Sequence, residues 1–173
     1  MAQQSLFADQ SGADFSPCRT WRYALWRQWG EDPFNRVAFI GLNPSTADET
    51  ANDPTIRRCI DFAKRWKFDG LYMLNLYAFR ATEPLDMVAA VDPVGPGNLN
   101  AIAEHAGNAR LVVAAWGTLA TRYRPRVQWQ THIVAVRTVI VQPLHCLGYT
   151  QDWSPRHPLF VKAVTTPQLF EVK

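Results

Sequence analysis

The sequence has 173 residues, enough for one domain with a sizeable core, and a composition of 47% hydrophobic, 12% aromatic and 19% charged residues excludes a disordered chain. Lysine and arginine number 18 against 15 aspartates and glutamates, a net charge of +3 that permits a nucleic-acid partner without requiring one. Cys18, Cys59 and Cys146 lie far apart and form no Cys-x-x-Cys pair, which speaks against a disulfide framework, a zinc site or an iron–sulfur site.

No metal and no other cofactor is therefore expected. An odd number of cysteines with no secretory signal points to a reducing, cytoplasmic setting. No apolar run approaches the length of a membrane span, so no membrane partner is expected. The polar, irregular start reads as a flexible N-terminal arm over residues 1–18, with residues 19–173 as a single domain. From Arg19 to Trp29, basic residues alternate with aromatic or apolar ones, as in a strand with one wet face. Gly30-Glu31-Asp32-Pro33 then turns the chain, and a hairpin with Val37–Leu42 is one pairing open to this strand. Arg22 and Arg27 could touch a nucleic acid from it, with a solvated edge strand as the default.

Arg36–Leu42 is a short apolar run that stops at glycine, asparagine and proline. It reads as a buried strand delivering Asn43 into a turn. Ligands of open α/β sheets bind beyond the carboxyl ends of the strands, which makes Asn43 a candidate functional residue. The plainer alternative is a strand-to-helix turn with a Ser or Thr cap. After a polar loop over Asp48–Ala51, Asp53 as N-cap and Pro54 in the first helical position start a helix running to Trp66. Ile56, Cys59, Ile60, Ala63 and Trp66 share one face. Arg57 and Arg58 lie off it, one turn from the start, where they would either reach a phosphate or face solvent.

Leu71–Tyr77 is a second strand, apolar except for Asn75. A buried amide must find partners or cost roughly 1–3 kcal/mol. It is either satisfied by backbone at the strand end or available to read a Watson–Crick edge with its donor and acceptor. Arg80 and Thr82 follow just past the same strand end. Leu85–Ala90 predicts a short helix, and Asn98–Asn108 a longer one with His105 on its surface. Leu111–Gly117 predicts a third parallel strand buried on both faces. Thr118–Tyr123 and Val127–Val136 read as helical, Thr138–Val141 as a fourth strand, and Tyr149–Lys173 as largely irregular. Strands alternating with helices predict an α/β fold with a parallel sheet.

Asn43-Pro44-Ser45-Thr46-Ala47-Asp48, Asp53–Cys59, Asn75–Thr82, Ala115-Trp116-Gly117, Cys146-Leu147-Gly148 and Arg156-His157-Pro158-Leu159 together resemble domain-of-unknown-function family 1643, a mainly bacterial and phage family. That resemblance spans roughly Arg22 to Val161. The order of the motifs is more distantly similar to the uracil-DNA glycosylase superfamily. Gly41-Leu42-Asn43-Pro44 resembles its first motif, Leu74-Asn75-Leu76 its base-recognising strand and Trp116-Gly117 its third element. The closing motif departs from the pattern: His145 precedes Cys146-Leu147-Gly148, and the only His-Pro pair, His157-Pro158, comes later.

This second resemblance implies a three-layer α/β/α sandwich around a central four-stranded, mainly parallel sheet, with an N-terminal edge strand added. It implies a nucleobase-directed hydrolase that cleaves the N-glycosidic bond of a damaged or modified base in nucleic acid, with DNA favoured over RNA and the choice between them left open. Asn75 would read the base, with Pro44 beside it and Phe79 or Trp116 as the stacking face. Asn43 would hold a water, Asp48 or Asp53 would orient or deprotonate it, and His145 or His157 would donate to the base oxygen. Arg57, Arg58, Arg80 and Ser45 would meet phosphates. The rival readings are a non-catalytic module binding a modified base or nucleotide, and an enzyme acting on free or hypermodified nucleotides.

Overall fold

A computed structural model describes residues 11–118 and 129–171, without the side chains of residues 129–130. Seven strands appear in chain order: β1 (Gly12–Phe15), β2 (Arg22–Gln28), β3 (Arg36–Gly41), β4 (Gly70–Asn75), β5 (Leu111–Ala114), β6 (Leu144–Cys146) and β7 (Gln168–Leu169). The described helices are α1 (Pro54–Arg65), α2 (Pro84–Ala89), α3 (Asn98–Gly107) and α4 (Trp129–Val139), with a 3₁₀ turn at Pro158–Phe160.

The strands form one mixed sheet in the order β1-β2-β4-β3-β5-β6-β7. Parallel pairing joins β4, β3, β5 and β6, while β1, β2 and β7 run antiparallel to their neighbours. The sheet is therefore seven-stranded and mixed, wider than the expected four-stranded, mainly parallel one. Its middle strands show why: all six residues of β3 are buried, and so are all six of β4. Such strands need cover on both faces and neighbours on both edges.

Alternation of side chains sorts the core into two. Ala38, Ile40, Leu74, Val112 and Ala114 face α3 and α4, where Ile102, Ala106, Ile133 and Val136 meet them. Val37, Phe39, Leu71, Met73 and Val113 face α1 through Ile56, Cys59, Phe62 and Ala63. The start of α1 follows the sequence reading: Asp53 accepts a hydrogen bond from Ile56 N at 2.8 Å, with Pro54 next in line.

Four expectations give way. Residues 12–15 of the anticipated arm form β1, because Ser16 N donates to Trp21 O and Trp21 N to Ser16 Oγ, folding the chain back into a hairpin with β2. The hairpin considered between β2 and β3 is absent; β2 pairs instead with β1 and β4. The fourth strand starts at Leu144, since Thr138 and Val139 still belong to α4. There Ile133 and Val136 turn one helical face into the core, with Ile140 buried just past the helix end, and Thr138 Oγ1 donates to Val134 O at 2.8 Å, so packing outweighs β-branched propensity. His105 is half-buried rather than on the surface, its ring 4.8 Å from that of Tyr72. The helix expected at Thr118–Tyr123 lies largely outside the described residues. No helix among the described residues is long and apolar enough to cross a membrane.

Burial lowers the pKa of both His105 and His132 from the ordinary 6.5. Below about pH 6.5 the unfolded chain therefore binds more protons than the folded one. Their contribution to stability is complete above that value and is lost as pH falls through the lowered folded-state values. The denaturation midpoint should decline as pH falls below about 6.5. His132→Gln keeps a donor for Leu76 O but does not titrate, so it should flatten the decline; an unchanged slope in this variant would refute the assignment.

Candidate functional site

Pairing in register sets Gly41 of β3 beside Asn75 of β4, so the carboxyl ends of two parallel strands finish together. A cavity of about 240 Å³ opens there. Its deep end holds Arg22, Gly41, Met73 and Asn75, all buried, and its more exposed side holds Asn43, Ser45, Asp53, Thr55 and His157. A Cβ on Gly41 would come within 2.7 Å of Met73 Cε and 3.0 Å of the Asn75 amide. Glycine at this position thus makes room for the asparagine.

The Asn75 amide is oriented so that its oxygen accepts from Arg22 Nη2 at 3.2 Å and its nitrogen donates to Leu74 O at 3.3 Å. One N–H and one lone pair of that amide remain. Its backbone is pinned from α3, where Asn98 Nδ2 donates to Asn75 O at 3.1 Å and Leu76 O at 2.9 Å. His132 of α4 bonds the same Leu76 carbonyl. Asn43 spends its amide hydrogens on Pro44 O at 3.1 Å and Ala81 O at 2.8 Å, so its oxygen is the polar atom left for a ligand or water.

Asp53 enters the cavity wall as the cap of α1, with one carboxylate oxygen committed to Ile56 N. Trp116 and His157 also line the cavity. His157 caps the 3₁₀ turn: its Nδ1 accepts from Leu159 N at 3.3 Å, which leaves the neutral ring's proton on Nε2. Burial lowers the His157 pKa from 6.5, with the nearby Asp53 charge opposing the shift. The neutral imidazole therefore predominates at neutral pH. Arg58 anchors this turn to α1, donating to Pro158 O at 3.4 Å and to Val161 O. Gly117, just after Trp116, donates its N–H to Pro155 O at 3.0 Å and has a φ of +72°.

The sequence reading left His145 and His157 as equal candidates, and the structure separates them. His157 lines the cavity; His145 lies in β6, between β5 and β7, with Nδ1 3.2 Å from Pro143 O. Asp48 also stays outside. Its carboxylate accepts from Ala51 N at 2.7 Å and Thr50 N at 2.9 Å, which lowers its pKa and shapes the loop after β3. Pro44 is buried, is not part of the cavity lining, and accepts from Ala81 N through its carbonyl. Arg57 donates to Asn52 O, and Arg58 to the 3₁₀ turn, so neither faces the cavity. Phe79 and Arg80 line a second cleft of about 510 Å³ that shares Ser45, Ala81 and Thr82 with the first. Among the described residues no group of three or more His, Cys, Asp or Glu side chains is placed to hold a metal ion.

Arg22 is the residue whose place the sequence concealed. It opens β2, and because β2 runs antiparallel to β4, its start lies beside the end of β4. Only knowledge of that pairing puts an arginine from the first wet-faced strand at the deep end of the cavity.

A family profile described as "Protein of unknown function (DUF1643)" matches residues 22–159. No curated protein and no solved structure gives a significant match to the chain.

A Cβ at position 117 would lie 3.2 Å from His157 Cβ and would stand on a left-handed backbone. Gly117→Ala should destabilise the fold by about 1–3 kcal/mol. It should also push His157 towards solvent, raising its pKa towards the ordinary 6.5 in a histidine NMR titration. An unshifted His157 resonance in a destabilised variant would show that the contact does not position the ring.

Proposed function

The chain belongs to the DUF1643 family, and we propose that it is a nucleobase-directed hydrolase that cleaves an N-glycosidic bond in nucleic acid, in the manner of uracil-DNA glycosylases. The observation that carries this reading is the convergence of Asn43, Asn75 and a neutral His157 on one cavity at the carboxyl edge of the parallel strands. At about 240 Å³ the cavity falls below the roughly 300–1,000 Å³ of sites for drug-sized ligands, which favours a single heterocycle.

In this mechanism a base swung out of the stack meets Asn75, whose spare N–H and lone pair match an adjacent carbonyl and ring N–H. Trp116 gives the base an aromatic wall. A water held by the Asn43 amide oxygen attacks the anomeric carbon, and its proton passes to the free oxygen of Asp53. The bond pair leaves with the base, and His157 Nε2–H donates to the base oxygen where negative charge collects. The neighbouring cleft, with Arg80 and the shared Ser45, receives the flanking phosphate. Asp48, His145, Arg57 and Arg58 have no part in it.

Single strands and duplexes carrying uracil, hypoxanthine and other altered bases test the reading through free base released and abasic sites formed. His157→Ala should lower the rate by about 100- to 1,000-fold with little loss of binding. Asn43→Ala should do likewise through the lost water. Because His157 must be neutral and its pKa is lowered, activity should persist as pH falls through 6.5 and fail only below it. Binding of one base without release from any substrate would replace the hydrolase with a recognition module. Release from mononucleotides alone would move the substrate from nucleic acid to free nucleotides.

A further inference from the structure

Three arginines are buried in this fold without an ion-pair partner among the described residues, and two of them lie away from the cavity. Arg27 donates to Asn52 Oδ1 at 2.9 Å and to the carbonyls of Trp26, Asp48 and Ala51 at 2.8, 2.7 and 3.2 Å. Arg36 donates to Gln28 Oε1 at 2.6 Å and Tyr72 Oη at 2.7 Å, and its guanidinium lies over the Tyr72 ring at 4.9 Å. Neither lines the cavity.

Arg22 differs in lining the cavity and in holding a buried guanidinium nitrogen that no acceptor meets. It is 2% exposed, lines the cavity, and has five N–H donors, of which only two find acceptors: Ala47 O at 2.9 Å and the Asn75 oxygen at 3.2 Å. Its Nε is buried with no partner at all. Asp53 is the carboxylate whose field reaches it, but that group sits in the more exposed part of the lining and caps α1, while Arg80 and Arg27 add positive charge nearby. Burial pulls the Arg22 pKa down to about 10, which still leaves a full cation at neutral pH. A buried cation with unspent donors is costly unless an anion meets it.

We propose that the cavity takes a planar monoanion, an ionised ring imide or a ring-borne carboxylate on a single heterocycle, with Arg22 meeting its charge. This rests on the base-pocket reading and adds the chemical class of the base. A guanidinium fork matches two coplanar oxygens, or an oxygen and a ring nitrogen, and the spare Asn75 N–H extends that edge. The size of the cavity limits the group to about one ring.

Calorimetry on the full chain at mildly alkaline pH compares orotate, which carries a ring carboxylate, and cyanurate, an ionised ring imide, with neutral uracil and with inorganic phosphate. At least one ring anion should bind about tenfold or more tightly than uracil. Arg22→Gln should erase most of that advantage, and Arg22→Lys should retain part of it by keeping charge without the fork. The ring comparison in the unaltered chain decides the matter even if Arg22→Gln does not fold. Equal binding of uracil and both anions would overturn the charge assignment and leave the base pocket standing. Failure of all three rings to bind would overturn both. Phosphate binding more tightly than any ring would overturn the planar group.

Discussion

The site depends on guanidinium groups that reach from β2 into the loop after β3. Arg22 donates to Ala47 O, and Arg27 to Asp48 O, Ala51 O and Asn52 Oδ1. Backbone carbonyls of an irregular segment are thereby satisfied by side chains from a neighbouring strand rather than by water. The loop runs between Asn43 and the helix cap Asp53, so both walls are placed by the same set of bonds. No carboxylate neutralises these cations within ion-pair distance among the described residues, and their stability comes from dipoles arranged around them.

Around that frame the fold separates residues that meet the cavity from residues that hold others in place. Asn98 and His132 fix the end of β4 from one face of the sheet, while Arg58 ties the 3₁₀ turn to α1 on the other. The cavity wall carries two amides, three hydroxyl side chains, an imidazole whose pKa burial lowers, one carboxylate and one cation. Preorganised dipoles of this kind act on developing charge without having to rearrange.

Much of this was legible in the sequence, for local reasons. The apolar run ending at Gly41, the Asp53-Pro54 helix start and the lone amide in Leu71–Tyr77 announce themselves by period, cap chemistry and the cost of burying a polar group. What was hidden is non-local. Which strand lies beside β4 cannot be read from alternation, so Arg22 passed for a residue of a solvated edge. His145 and His157 look alike until the first is seen to lie in β6, between β5 and β7 and away from the cavity lining, while the turn at Pro158–Phe160 carries the second to it. In Thr138–Val141 the misleading signal was propensity itself, overruled where Val136 and Ile140 pack against the sheet.

The walls of the cavity come from β2, the ends of β3 and β4, the cap of α1, the segment after β5 and the turn beyond β6. No contiguous fragment contains them, and losing any one strand from the middle of the sheet dismantles the whole enclosure. Occupancy is therefore linked by mass action to global unfolding rather than to the opening of one segment. Whatever fills the cavity acts as a non-covalent rivet through the entire sheet, and the molecule's resistance to heat becomes a gauge of how much of that compound surrounds it.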